Sequence, residues 1–131
     1  MYRFSLVTVG SLKEHYWKDA EQEYLKRLTP YVKFDVHEIK EEAFTRPSEK
    51  DRIVRSEGEK VLKRIPDDVW CILLDREGKH VSSETFADVL RGEGERGQHI
   101  VFIIGGPLGI SEKVRERADQ TLSFSRLTFP H

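Results

Sequence analysis

The stretch His99-Ile100-Val101-Phe102-Ile103-Ile104-Gly105-Gly106-Pro107-Leu108-Gly109 decides the fold class of this chain. Its first half is an apolar run, which is typical of a strand buried on both faces, as in a parallel sheet covered by helices. Its second half brings closely spaced glycines directly after that strand. Because glycine lets the backbone approach a ligand closely, we expect function at this end of the strand.

Strand and helix patterns alternate along the rest of the chain. Strands are predicted at 2–9, 33–39, 69–74, 99–104 and 121–125. Amphipathic helices are predicted from Trp17 to Leu28, over 48–65, after a cap at Ser82 or Ser83, and from Ser111 through Ala118. Loops are predicted at 40–47 and 75–79, and the glycine run 92–97 is expected to end the third helix. The alternation predicts one α/β domain over 1–131, a mostly parallel sheet with helices on both faces.

Composition excludes several classes of protein. The 131 residues are 37% hydrophobic and 34% charged, which is ordinary for a globular domain and too apolar for a disordered chain. A net charge of −1 gives no global attraction to nucleic acid, so any RNA contact must be local. No apolar run approaches the length of a membrane span and no secretory signal is recognisable, so we expect a cytoplasmic protein without a membrane partner.

Cysteine and histidine usage gives no sign of a metal site. The single cysteine, Cys71, lies within the apolar segment 69–74 and is expected to be a small core residue. The five histidines have no metal-ligand spacing with one another or with Cys71. The sequence therefore predicts no structural metal.

One group of basic residues could contact RNA locally. It lies on and before the second predicted helix and comprises Arg46, Lys50, Arg52, Arg55, Lys60, Lys63 and Arg64. Acidic residues are interleaved with it, namely Glu49, Asp51, Glu57 and Glu59. Two interpretations remain open, an RNA contact and a solvated helix face held by salt bridges, and the interleaving favours the second.

Three loops are expected to form a ligand pocket. Parallel strands bring their carboxyl ends to one edge, where the loop after Leu74, the glycine loop 105–109 and the segment after Ser125 converge. The glycine spacing is G-G-x-x-G, whereas dinucleotide enzymes use G-x-G-x-x-G with an acidic residue about twenty positions later. A dinucleotide oxidoreductase is therefore disfavoured.

Several motifs together resemble the RlmH family, the SPOUT-class methyltransferases of large-subunit ribosomal RNA. The most specific are 103–109 and Leu122-Ser123-Phe124-Ser125-Arg126-Leu127-Thr128-Phe129-Pro130-His131. Supporting matches lie at Val7-Thr8-Val9-Gly10, Tyr24-Leu25-Lys26-Arg27, Gly58-Glu59-Lys60, Leu74-Asp75 and Gly78-Lys79. The resemblance thus covers the whole chain in order.

The resemblance implies a function and a set of site residues. It implies methyl transfer from S-adenosylmethionine to N3 of a pseudouridine in large-subunit rRNA, by a homodimer that acts on assembled ribosomes. The implied cofactor contacts are Leu74, Gly106, Ser125, Arg126, Leu127, Thr128, Phe129 and Pro130. They fall in the three loops that the strand ends had already indicated.

The resemblance also implies a difference from the family. Members continue past Pro130-His131 with an apolar helix that ties a SPOUT trefoil knot, covers the cofactor and contributes to the dimer interface. This sequence ends at His131, so we expect the knot-closing helix to be absent and the domain to be incomplete at its C-terminus. The alternative hypothesis is a non-catalytic α/β module for RNA binding or assembly that has lost this covering element.

No residue is an evident catalytic base for removing the N3 proton. Asp75 lies at a strand end near the expected pocket, but an acidic residue there more often caps a loop. His131 is the terminal residue, and its geometry does not follow from sequence. The catalytic residue is therefore unknown from the sequence.

Overall fold

Five parallel strands form one sheet in the order β2-β1-β4-β3-β5 in a computed structural model that describes residues 1–129. Their bounds are Tyr2–Val9 (β1), Val32–Ile39 (β2), Trp70–His80 (β3), Ile100–Ile104 (β4) and Gln120–Ser123 (β5). Every pairing between neighbouring strands is parallel, which confirms the predicted sheet type. Strands β2 and β5 are the two edges of the sheet.

Four helices connect the strands. They are His15–Leu28 (α1), Lys50–Lys63 (α2), Ser83–Glu95 (α3) and Glu112–Arg117 (α4), and a 3-10 turn over Pro47–Glu49 precedes α2. Both predicted serine caps are confirmed, since Ser82 Oγ accepts the Thr85 N–H and Ser111 Oγ accepts the Val114 N–H. Among the residues that the structure describes, no helix is long and apolar enough to cross a membrane.

The core consists of two apolar layers, one on each face of the sheet. The layer under α2 and α4 contains Val7, Val9, Ile39, Val61, Ile65, Val69, Cys71, Leu73, Val101, Ile103 and Val114. The layer under α3 contains Phe4, Val32, Ile72, Ile100, Phe102 and Leu122, with Phe86, Val89 and Leu90 of the helix packed against it. Alternate residues of β4 enter opposite layers, as a strand buried on both faces requires.

One predicted boundary is wrong and another is confirmed. The loop predicted at 75–79 is part of β3, because the chain returns to β5 after a bulge: Leu74 and Lys79 both pair with Leu122. The glycine run 92–97 ends α3, as predicted. The helix continues to Glu95, and the chain turns only at Gly97, whose φ is +79°.

Helix α1 has the predicted periodicity, but it covers the sheet poorly. None of its residues is buried, and Trp17 and Tyr24 remain 45% and 64% exposed. These two side chains and Leu28 recur at helical spacing and so share one face. An amphipathic sequence thus gives a helix whose apolar stripe lies largely in solvent.

Cys71 provides a test of core packing. Its side chain is completely buried, and burial raises the pKa of the thiol to about 11. We expect a thiol reagent at pH 8 to label the native protein at least about 100-fold more slowly than the urea-unfolded chain, because the reactive thiolate is scarce and inaccessible. Equal labelling rates would contradict the packing of β3 between its two layers.

A hydrogen bond of 2.7 Å joins Ser5 Oγ to His99 Nε2 near the amino end of the sheet. Burial lowers the pKa of His99, and the positive charge of Arg3 lowers it further. As the pH falls, His99 is therefore protonated in the unfolded chain before it is protonated in the folded protein. The contribution of neutral His99 to the free energy of unfolding is thus complete above about pH 6.5 and decreases below it. In urea unfolding, His99→Gln should lose less stability than the wild type between pH 7.5 and 5.5. Identical losses would show that another group is responsible.

Candidate functional site

The β3 bulge and the carboxyl ends of β4 and β5 lie side by side. Leu74 pairs with Ile104 of β4 on one side and with Leu122 of β5 on the other. The loop after β4 and the segment after β5 therefore leave the sheet next to Leu74. This arrangement brings the predicted site positions Leu74, Gly106 and Ser125 to the same edge of the sheet.

The glycine loop after β4 is a tight turn that packs toward β1. The Gly109 N–H donates to the Gly106 carbonyl over 3.1 Å, and Gly109 has a φ of +106°, which favours glycine. A Cβ on Gly106 would lie 2.9 Å from Val9 Cγ1 and 3.4 Å from Glu57 Oε1. Gly106 thus allows the loop to contact β1 and α2 closely while its backbone stays at the open edge.

Side-chain hydrogen bonds hold the segment after β5. Ser123 Oγ donates to the Ser125 carbonyl over 2.9 Å, and Ser125 Oγ accepts the Leu127 N–H over 3.0 Å. Farther along, Arg76 Nη1 donates to Thr128 Oγ1 over 3.2 Å, which ties the segment to the β3 bulge. The predicted contacts from Ser125 to Phe129 therefore lie beside β3, whereas Pro130 lies outside the described residues.

This segment presents apolar side chains to solvent. Leu127 and Phe129 are 70% and 58% exposed, and Arg126 is exposed between them and Ser125. Phe124 is also exposed, and its ring packs edge-on against Phe86 of α3 at a centroid distance of 5.9 Å. The β3 bulge and the segments after β4 and β5 thus form an open surface, called the shelf below, that exposes apolar side chains after β5.

Asp75, which the sequence analysis considered as a catalytic base, forms an ion pair in the structure. Its Oδ2 accepts a hydrogen bond from Arg115 Nη1 of α4 over 2.9 Å. An ion pair of this kind favours the structural interpretation of Asp75, because the carboxylate holds the start of the β3 bulge to α4. His131 lies outside the described residues.

The structure reveals two carboxylates near the glycine loop that the sequence interpretation did not single out. Glu57 of α2 is only 4% exposed, and its Oε2 accepts the Glu42 N–H over 3.0 Å. A hydrogen bond from Ser56 lowers the pKa of Glu42, and the cations Lys60 and Arg52 add to this effect. The sequence did contain a signal that Glu57 is buried. It lies four residues from each of the core residues Ile53 and Val61, and so shares their face of the helix.

The basic group on α2 is partly neutralised. Arg52 lies 3.6 Å from Glu42 and 3.7 Å from Glu49, and Lys60 lies 3.9 Å from Glu42. These ion pairs favour the interpretation of a solvated helix face with salt bridges.

The sequence profile of a family described as predicted SPOUT methyltransferase matches residues 2–131. Among curated proteins, ribosomal RNA large subunit methyltransferase H of Carboxydothermus hydrogenoformans is 44% identical over 131 residues, which cover 97% of this chain and 82% of that protein. The protein of the same name from Alkaliphilus oremlandii is 47% identical with the same coverage. The protein of the same name from Streptococcus gordonii is 42% identical, and the match covers 98% of this chain and 84% of that protein.

Proposed function

Because the chain belongs to the SPOUT methyltransferase family, we propose that it methylates large-subunit ribosomal RNA with S-adenosylmethionine as the methyl donor. The observation that carries the proposal is the match to relatives named for this activity over 97% of the chain. The family profile spans both the glycine loop and the segment after β5. Our proposed acceptor atom is N3 of a pseudouridine, as the family resemblance implies. Ribosomal RNA as substrate fits a cytoplasmic site of action.

The start of the β3 bulge and the segments after β4 and β5 are the proposed donor site. Leu74, Gly106 and the segment 125–130 would hold S-adenosylmethionine, which supplies a methyl group already activated on a sulfonium. The shelf fits this donor, because the backbone after β4 offers polar groups and Leu127 and Phe129 offer apolar surface for a purine ring. The contribution of the protein is then mainly positioning, since the transfer requires the acceptor nitrogen in line with the bond that breaks.

Leu127 allows a test of the donor site with little risk to folding, because its side chain is 70% exposed. We expect Leu127→Asp to weaken S-adenosylmethionine binding at least about tenfold in calorimetric titration, since a hydrated carboxylate would replace apolar contact surface for the purine ring. Tyr31→Asp is the matched control. Tyr31 is 69% exposed but precedes β2 at the opposite edge of the sheet, so its variant should bind normally.

Methylation of isolated large ribosomal subunits with a radiolabelled donor tests the reaction itself. Incorporation that localises to one pseudouridine N3 would support the proposal. Donor binding without transfer would overturn the proposed substrate. Absence of both would favour a non-catalytic RNA-binding or assembly module.

We propose a homodimer as the working form, with α1 in the interface. Trp17, Tyr24 and Leu28 form an exposed apolar stripe that a second subunit would cover. Sedimentation at micromolar concentration should give a dimer for the wild type and a monomer for Trp17→Glu/Tyr24→Glu. A dimer that withstands the double substitution would exclude α1 from the interface.

A further inference from the structure

A second concave surface lies at the other half of the same sheet edge. It is a groove of about 1200 Å³ at the carboxyl ends of β1 and β2, bounded by the loop 40–44 and by α2. The residues that carry its chemistry are Lys13, Lys40, Phe44, Pro107 and Leu108. None of them belongs to the proposed donor contacts.

The topology makes this groove a natural ligand site. After β1 the chain runs toward the edge of the sheet formed by β2, and after β4 it runs toward the opposite edge, formed by β5. Since β1 and β4 are neighbours, the connections diverge between their carboxyl ends and open a crevice there. The groove occupies this point, because Gly10 and Ser11 follow β1 and Pro107 and Leu108 follow β4.

The glycine loop is the wall between the groove and the proposed donor site. β4 is the central strand, with β1 and β2 on one side and β3 and β5 on the other. Gly106 belongs to the donor contacts, while the next two residues, Pro107 and Leu108, line the groove. A base in the groove would therefore lie next to the donor site, and its N3 would have to reach past the rim of this loop into line with the sulfonium–methyl bond, because transfer requires the two reacting atoms in contact.

The groove carries groups that recognise a nucleotide. Phe44 is 47% exposed and offers a ring face on which a base can stack. Lys13 and Lys40 are exposed and form no ion pair with any residue between 1 and 129, so both ammonium groups are available to a phosphate.

Four carboxylates also line the groove, and they differ in whether other groups of the protein already pair with them. Glu57 is buried and bonded to the Glu42 N–H, and Glu42 lies between Lys60 and Arg52. The remaining two, Glu38 and Glu41, are exposed beside the lysines. The rim is therefore close to neutral, which favours one bound nucleotide over a long electrostatic track for RNA.

We propose that this groove receives the acceptor nucleotide of the RNA, with its base stacked on Phe44 and its phosphates near Lys13 and Lys40. The proposal rests on the proposed function and specifies where the substrate of that reaction binds. Donor and acceptor nucleotide then enter from the two halves of the carboxyl edge, and the acceptor base meets the donor methyl at the rim of the glycine loop.

Steady-state methylation of large ribosomal subunits by matched variants tests the assignment. We expect Phe44→Ala to raise the KM for subunits about tenfold or more, and Phe44→Trp to keep it near the wild-type value, because stacking requires only an aromatic face. Lys13→Ala/Lys40→Ala should raise KM about 10- to 100-fold near 0.1 M salt. The slope of log KM against log salt concentration should also decrease by about 1.5 to 2. Lys33→Ala, at the opposite end of β2, should change neither.

Binding of S-adenosylhomocysteine, measured by calorimetry, separates the possible outcomes. The proposal requires every groove variant to bind this donor analogue within about twofold of the wild type. Loss of donor binding would assign the groove to the donor, and an unchanged KM would leave the groove without a substrate role; either result overturns the proposal.

If the wild type binds the analogue but methylates no subunit, the proposed function fails on its own. Filter binding of large subunits then decides the groove separately. A tenfold loss of RNA affinity in Phe44→Ala, restored in Phe44→Trp, would support a nucleotide site. Equal affinities, or no RNA binding by the wild type, would overturn it.

Discussion

Replacing Gly78 by alanine should destabilise the protein by about 2 to 3 kcal/mol, toward the upper end of the usual cost of overpacking. A Cβ at this position would lie 2.8 Å from the backbone carbon and nitrogen of Leu122 and 2.8 Å from the carbonyl carbon of Thr121. Backbone atoms of a paired strand cannot rotate away as a side chain can. The β3 bulge would have to separate from β5.

The same substitution should also weaken donor binding. The segment after β5 is tied to the bulge through Arg76 and Thr128, so a displaced bulge would move the proposed donor contacts. We expect Gly78→Ala to lose at least about tenfold in S-adenosylmethionine affinity at a temperature where it remains folded, because donor binding requires the aligned shelf. Urea unfolding and calorimetry measure the two effects separately.

Gly92→Ala is the matched control. Gly92 lies within α3, and a Cβ there would meet nothing within 4 Å. Alanine should therefore stabilise the protein by about 0.4 to 1 kcal/mol through helix propensity and the reduced entropy of the unfolded chain. A Gly78→Ala variant as stable as Gly92→Ala would contradict the close contact between the bulge and β5.

Replacing Gly58 by alanine should cost about 1 to 3 kcal/mol, although alanine is the better helix former. Gly58 is buried where α2 crosses the start of α4, and an added Cβ would overlap Ser111 Oγ and lie 2.9 Å from Ser111 Cβ. Ser111 cannot turn away freely, because its Oγ caps α4 by accepting the Val114 N–H. The glycine therefore serves close helix packing.

A double-mutant cycle identifies the cause of that loss. Ser111→Gly should cost only a few tenths of a kcal/mol, since glycine is tolerated at an N-cap. Gly58→Ala/Ser111→Gly should recover at least about 1 kcal/mol relative to the additive expectation, because the overlapping atoms are gone. Additive losses in urea unfolding would mean that the clash lies elsewhere.

Much of the fold follows from hydrophobic patterning alone. The run from Ile100 to Ile104 reads as a doubly covered strand, and it is the central strand of the sheet. Ser82 and Ser111 cap helices in the structure as predicted. These features are predictable because they depend on side-chain periodicity and on hydrogen bonds within a few residues.

The extent of β3 was not predictable in the same way. Its charged continuation after Leu74 has the composition of a loop, and the return of Lys79 and His80 to β5 depends on a strand that lies forty residues later. Similarly, periodicity predicted the apolar stripe of α1, but periodicity does not report how much of that stripe the sheet covers.

In the candidate site too, local motifs predicted the positions, whereas tertiary contacts set the side-chain partners. The sequence, through local motifs and their resemblance to a family, predicted Leu74, Gly106 and the segment after β5 as site positions, and strand order explains why these positions meet. The partners of Asp75 and Glu57 depended on which surfaces of α4 and α2 reach the carboxyl edge. Neither carboxylate could be assigned a partner from spacing in the chain.

The sequence by itself determined the α/β class, the parallel sheet, the helix caps and the family, because each depends on local pattern and residue chemistry. Only the tertiary structure decided the β3 bulge against β5, the exposure of α1, and the division of the carboxyl edge into a shelf and a groove on either side of the glycine loop. These features arise from contacts between segments far apart in the chain, where shape and strand order, rather than local preference, set which atoms meet.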